Sequence, residues 1–210
     1  MRKLPVYLVL DVSGSMMGEP INSVNNGVQM MTSALKKDPY ALETAYISVI
    51  TFASDVVQTV PLTEINSFQP PQLSASGGTS LGGALAKVAE CADREVQKST
   101  PDQKGDWKPL VFIMTDGIPT DDPKPGIEEF RKRKWGVVVA CAVPGADERL
   151  LTQITENVVK LETSDQNSFA AFFKWVSASI STSSRRVDAG SDADASTLPP
   201  PPEEITLVQP

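Results

Sequence analysis

Three short segments of this 210-residue chain concentrate oxygen-bearing side chains where apolar strands give out. The first is Asp11-Val12-Ser13-Gly14-Ser15, entered directly from Val6-Tyr7-Leu8-Val9-Leu10. The second, Gly77-Gly78-Thr79-Ser80-Leu81-Gly82-Gly83, stands just ahead of a helical pattern. The third, Thr115-Asp116-Gly117, ends the run Leu110-Val111-Phe112-Ile113-Met114. Together they offer hard oxygen donors at the rim of a sheet, which suits a small divalent cation such as magnesium, with manganese or calcium as alternatives. Each segment also has a plainer reading. D-x-S-x-S alone fits a turn or cap cluster, and T-D-G a strand-to-helix turn. The glycine-rich segment lacks the Gly-Lys-Ser/Thr of a phosphate-binding P-loop.

Composition narrows the chemistry. The chain has no histidine, which removes Ser-His-Asp and Cys-His catalysis and histidine-based metal sites. Its net charge of -7 argues against a nucleic-acid surface. No apolar stretch reaches transmembrane length, and the start of the chain lacks a signal-peptide pattern, so the expected location is cytoplasmic with no membrane partner. The two cysteines, Cys91 and Cys141, fall in apolar patterns and are expected to be buried and reduced.

Elements that would position the three segments alternate between strand and helix, which predicts an α/β fold: a doubly wound, mostly parallel sheet with helices on both faces. Ile21, Val24, Val28, Met31 and Leu35 recur at helical spacing, and Asp38-Pro39 is expected to end that helix. Tyr46–Phe52 and Val56–Leu62 read as a hairpin through Ala53-Ser54-Asp55, giving one antiparallel edge strand. Thr79 or Ser80 should cap the helix carried by Leu81, Leu85 and Val88; Asp121-Asp122 either supports the site loop from behind or, the favoured reading, caps the charged helix that begins at Pro123. Phe169, Phe172, Phe173, Val176 and Ile180 mark a final helix packed on the sheet.

A change of composition near Ser184 divides the chain into a domain over residues 1–183 and an acidic, proline-rich tail over 184–210, expected to be disordered and dispensable for folding. The run Arg131 to Lys134 lies at a helix C-terminus, where the dipole favours cations; an acidic docking surface is the lesser reading.

Taken in order, D-x-S-x-S, the loop threonine and T-D-G resemble the metal-ion-dependent adhesion site of von Willebrand factor type A domains. That resemblance spans residues 4 to 182 and implies a ligand set of Asp11, Ser13, Ser15, Thr79 and Asp116, the hydroxyls binding directly and the carboxylates partly through water. Hydroxyls leave the dication electrophilic, so a partner's Asp or Glu is expected to complete its coordination. In detail, Ser13-Gly14-Ser15-Met16, Gly18-Glu19-Pro20-Ile21 and Thr115-Asp116-Gly117-Ile118-Pro119-Thr120-Asp121 are most similar to the TerY-type proteins of bacterial tellurite resistance. That likeness implies a non-enzymatic scaffold or regulator in a stress response, working with a protein kinase and a PP2C-type phosphatase. The alternative is a magnesium-dependent phosphohydrolase with Asp11 as nucleophile. The general acid expected two residues on is then replaced by Ser13, which cannot protonate a leaving group at neutral pH.

Overall fold

Strand β1, Leu4–Asp11, is buried at every residue, as a parallel strand covered on both faces must be. Its side chains alternate: Leu4, Val6, Leu8 and Leu10 enter one core, and Tyr7 and Val9 the other. In the computed structural model, which describes residues 2–193 and 198–208, helices supply both covers. On the first face lie α1 (Glu19–Leu35), α2 (Pro39–Thr44) and α6 (Gln166–Asp188); on the second lie α3 (Leu81–Glu95), α4 (Lys124–Arg131) and α5 (Glu148–Leu151).

The remaining strands are β2 (Ala45–Phe52), β3 (Val56–Glu64), β4 (Leu110–Thr115), β5 (Val137–Ala142), β6 (Val158–Leu161) and β7 (Ile205–Leu207). They form one sheet in the order β3-β2-β1-β4-β5-β6-β7. β1 runs parallel to both β2 and β4, so strand order reverses between β1 and β4. The crevice outside the carboxyl ends of strands at such a reversal is where open α/β sheets bind ligands. Asp11 and Thr115 are the last residues of those two strands. β3 pairs antiparallel with β2 through the expected 53–55 turn. Among the described residues no helix is long and apolar enough to cross a membrane. Cys91 and Cys141 are both free and buried.

One expectation holds with an addition and one fails: α1 ends ahead of Asp38-Pro39. Asp38 does not merely stop α1; its carboxylate accepts from Tyr40 N at 2.9 Å and Ala41 N at 3.3 Å and so starts α2. The C-terminal stretch departs from the expected disorder. Helix α6 continues to Asp188, and the described residues 198–208 lie on the domain. There the Trp175 indole donates to Pro199 O at 2.8 Å, Leu198 packs on the first core, and β7 adds a second antiparallel edge beside β6. Ile205, in β7, is 4% exposed. Sequence periodicity misses this return because it rests on long-range contacts of a three-residue strand. Residues 194–197 and 209–210 of the expected tail lie outside the described residues.

Deleting residues 198–210 should therefore expose Trp175 and unpair the edge of β6. We expect a loss of about 2 kcal/mol, seen as a melting temperature roughly 4–8 °C lower by calorimetry. A truncated chain that melts like the parent would show that this segment packs without stabilising.

Candidate metal centre

Asp11 is the innermost of the five expected site residues and is completely buried. Its neighbour Leu10 pairs with Met114 across the β1–β4 ladder, which sets Asp11 beside Thr115. The Thr115 hydroxyl donates to Asp11 Oδ2 at 2.5 Å, and Ser13 N donates to Oδ1 at 2.8 Å. The second bond turns the chain sharply after the strand, as aspartate does in Asx turns. A single helical turn, Gly14–Met16, follows, with Met16 buried as its anchor. This turn presents the Ser13 and Ser15 hydroxyls side by side, 3.0 Å apart. Ser15 then donates to Asp116 Oδ1 at 2.7 Å, linking the β1 loop to the β4 loop.

The third segment is tied in by its backbone. Gly14 N donates to Gly77 O at 2.9 Å, and Ser76 N to Val12 O at 2.8 Å. Gly77 has φ +79°, a conformation that glycine adopts without cost. Thr79 N donates to Thr120 Oγ1 at 3.0 Å, while Thr120 N donates back to Thr79 O at 2.9 Å. This clasp lays the Thr79 side chain over Gly117: a Cβ there would stand 2.9 Å from the Thr79 hydroxyl oxygen. Asp11, Ser13, Ser15, Thr79 and Asp116 are thus gathered from three loops at one end of the sheet.

Several supporting residues escape a sequence reading. Thr115 was visible in the T-D-G motif, but its role as the donor to Asp11 depends on strand register. Thr120 gave no signal. Asp121 does not cap the helix that follows it; Pro123 takes the N-cap position, and Asp122 just ahead of it accepts from Lys124 N at 3.1 Å. Asp121 instead reaches across to α3, accepting from Ser80 Oγ and Gly83 N, each at 2.9 Å, and from Gly82 N at 3.3 Å. Ser80 is the N-cap residue by position, yet its side chain makes no capping bond. A carboxylate at that helix N-terminus is favoured by the dipole and satisfies donors the helix leaves free.

Neither Asp11 nor Asp116 pairs with a basic side chain among the described residues. Partial burial pushes the Asp116 carboxyl above the usual carboxylate range; the Ser15 bond opposes this and the nearby Asp11 charge adds to it. The site therefore carries excess negative potential with no internal counter-charge. Among the described residues there is no cluster of three or more His, Cys, Asp or Glu, so the donors are not those of a thiolate or imidazole cage. The donors fit a hard dication instead. The hydrogen-bonded oxygen separations of 2.7 and 3.0 Å lie near the edge of a magnesium octahedron, about 3.0 Å for oxygens at roughly 2.1 Å from the metal.

The sequence profile of the von Willebrand factor type A domain matches residues 6–174. Among curated proteins none matches in sequence. Solved structures similar to this chain include proximal thread matrix protein 1 from the mussel byssus, in a form described as having a zinc-occupied MIDAS motif (18% identity, TM-score 0.60, 84% of this chain and 48% of that one). The pilus adhesin SpaC of Lactobacillus rhamnosus GG aligns at 14% identity with a TM-score of 0.69, over 87% of this chain and 30% of the adhesin. BatB of Bacteroides thetaiotaomicron aligns at 17% identity with a TM-score of 0.53, over 83% of this chain and 97% of that one. The chain thus spans about half the length of the mussel protein and under a third of the adhesin. At these identities the likeness is one of fold.

A carboxyl whose folded pKa is raised contributes stability that is present below the ordinary carboxylate range and is lost as pH rises through the folded value. In chelator, Asp116→Asn should therefore melt above the parent near pH 7, and the gap should close as pH falls below about 4. Melts recorded across that range check it; a gap independent of pH would mean that the charge of Asp116 is not what the fold resists.

Proposed function

The chain belongs to the von Willebrand factor type A family, and from that premise we propose that it is a metal-dependent protein-binding module. Asp11, Ser13, Ser15, Thr79 and Asp116 would hold the ion, with magnesium preferred over manganese or calcium. The bound dication would supply a point of positive charge for an Asp or Glu of a partner protein. The observation that carries this reading is the convergence of three hydroxyls and two carboxylates, from three separately anchored loops, with neither carboxylate paired to a basic side chain among the described residues.

The finer assignment is to a TerY-like role: a cytoplasmic scaffold or regulator in a tellurite-resistance type of stress response, with a kinase and a PP2C-type phosphatase as partners. It rests on the motif details at residues 13–21 and 115–121. The geometry weighs against the phosphohydrolase alternative. Asp11 is fully buried and each of its oxygens accepts a hydrogen bond, which places it poorly for in-line attack on a phosphoryl group, and Ser13 stands where the general acid would be needed.

Magnesium should raise the melting temperature of the parent and leave that of Asp11→Ala unchanged. Capture of the partner should be abolished by chelator. Ser13→Ala or Thr79→Ala should weaken capture about tenfold, near 1.4 kcal/mol, with the fold intact by circular dichroism. Partner capture that survives both chelation and Asp11→Ala would overturn the proposal. Magnesium-dependent turnover of a simple phosphate ester, lost in Asp11→Ala, would favour the phosphohydrolase.

A further inference from the structure

At the pole of the sheet opposite Asp11, a cleft of about 620 Å³ opens where α3 ends and where β4 and β5 begin. That size is ordinary for a ligand site, roughly 300–1,000 Å³. Its floor includes Val96 from the end of α3, with Trp107 and Trp135 standing just ahead of adjacent strands β4 and β5. Both rings are fixed. The Arg2 guanidinium lies 3.5 Å over Trp107, and Trp135 stacks on Phe130 at 4.6 Å while donating to Phe130 O at 2.9 Å.

The lining holds five basic side chains against two acidic ones, on a chain whose net charge is -7. Helix dipoles explain part of this excess. Lys132 and Arg133 follow the end of α4 and are engaged by Glu129 and Asp93. Lys98, Lys108 and Lys134 belong to no helix. Lys98 is 80% exposed, with only a 3.8 Å contact to Asp93, and Lys134 is exposed and makes no ion pair among the described residues. Lys108 contacts Asp192 at 3.1 Å, so a carboxylate of the chain itself already rests on this rim.

We propose that this cleft is a second docking site, which takes an acidic peptide segment of a partner protein with an apolar side chain seated against Trp107 and Trp135. Separate lysine ammonium groups around an apolar floor match carboxylates spaced along a peptide around one hydrophobic anchor. A nucleic acid is a poorer match. The helices that reach the cleft, α3 and α4, end there with their carbonyls, so the amide donors that hold phosphates are at the other pole.

The probe is a fluorescein-labelled twelve-residue peptide of Asp and Glu with one central Leu, followed by anisotropy with the full chain; the comparison peptide carries Asn and Gln instead. The acidic peptide should bind and the neutral one should not, with affinity falling steeply between about 50 and 300 mM salt. Lys98→Glu combined with Lys134→Glu should weaken binding at least tenfold. Lys37→Glu, an exposed lysine outside the cleft, should leave it unchanged. Chelator should also leave it unchanged, which separates this site from the metal centre. Three results would overturn the proposal: no binding of the acidic peptide, an equal loss in Lys37→Glu, or displacement by a single-stranded oligonucleotide at lower concentration than by unlabelled peptide.

Discussion

The arrangement at the metal pole depends on one buried carboxylate. Taking Asp11 out of water costs several kcal/mol unless its oxygens find donors, and the domain supplies two, the Thr115 hydroxyl and the Ser13 amide. Both come with geometric conditions. The first requires β1 and β4 to be parallel neighbours in one register, since a slip of one residue would turn Thr115 toward the opposite face. The second requires the chain to turn immediately after β1, and that turn brings Ser13 and Ser15 to the surface together. Sheet register and site geometry are therefore a single constraint.

The other loops lean on that arrangement through backbone bonds. Gly14 is tied to Gly77, and Thr79 is clasped to Thr120. Most of these anchors use main-chain atoms, so they fix position while leaving the Ser13 and Ser15 hydroxyls side by side and the Thr79 side chain over Gly117. Asp121 extends the connection to the far side by holding the start of α3, so the loop after β4 braces both the site and a helix of the second core.

Much of this is legible in the sequence. Strand β1 reads from its unbroken apolar run, α1 and α6 from their helical stripes, and the β2–β3 hairpin from two apolar runs around a short polar turn. The three oxygen-bearing segments stand out because carboxylates and hydroxyls rarely end a buried strand in such company, and it is the resemblance to type A domains that singles out five of their residues as ligands. What stayed hidden depends on distance along the chain. Asp121 lies beside Pro123 in sequence, and only the fold shows that α3 is within its reach. The clasp by Thr120, the hold of Thr115 on Asp11 and the return of residues 198–208 beneath Trp175 are all contacts between segments that no local pattern joins. Lys98, Lys108 and Lys134 likewise form one rim only because β4 and β5 lie side by side.

The return of the chain at its C-terminus also changes how the sheet meets its surroundings. Without β7, strand β6 would offer a row of unpaired amides and carbonyls, the template on which identical sheets add to one another. β7 covers that row and then presents only three residues of its own, bounded upstream by a run of prolines. At the opposite margin β3 carries Pro61, which cannot donate to an incoming strand. Both margins are poor templates for strand addition, so the backbone of the sheet stays closed to other chains and edge-to-edge aggregation is discouraged.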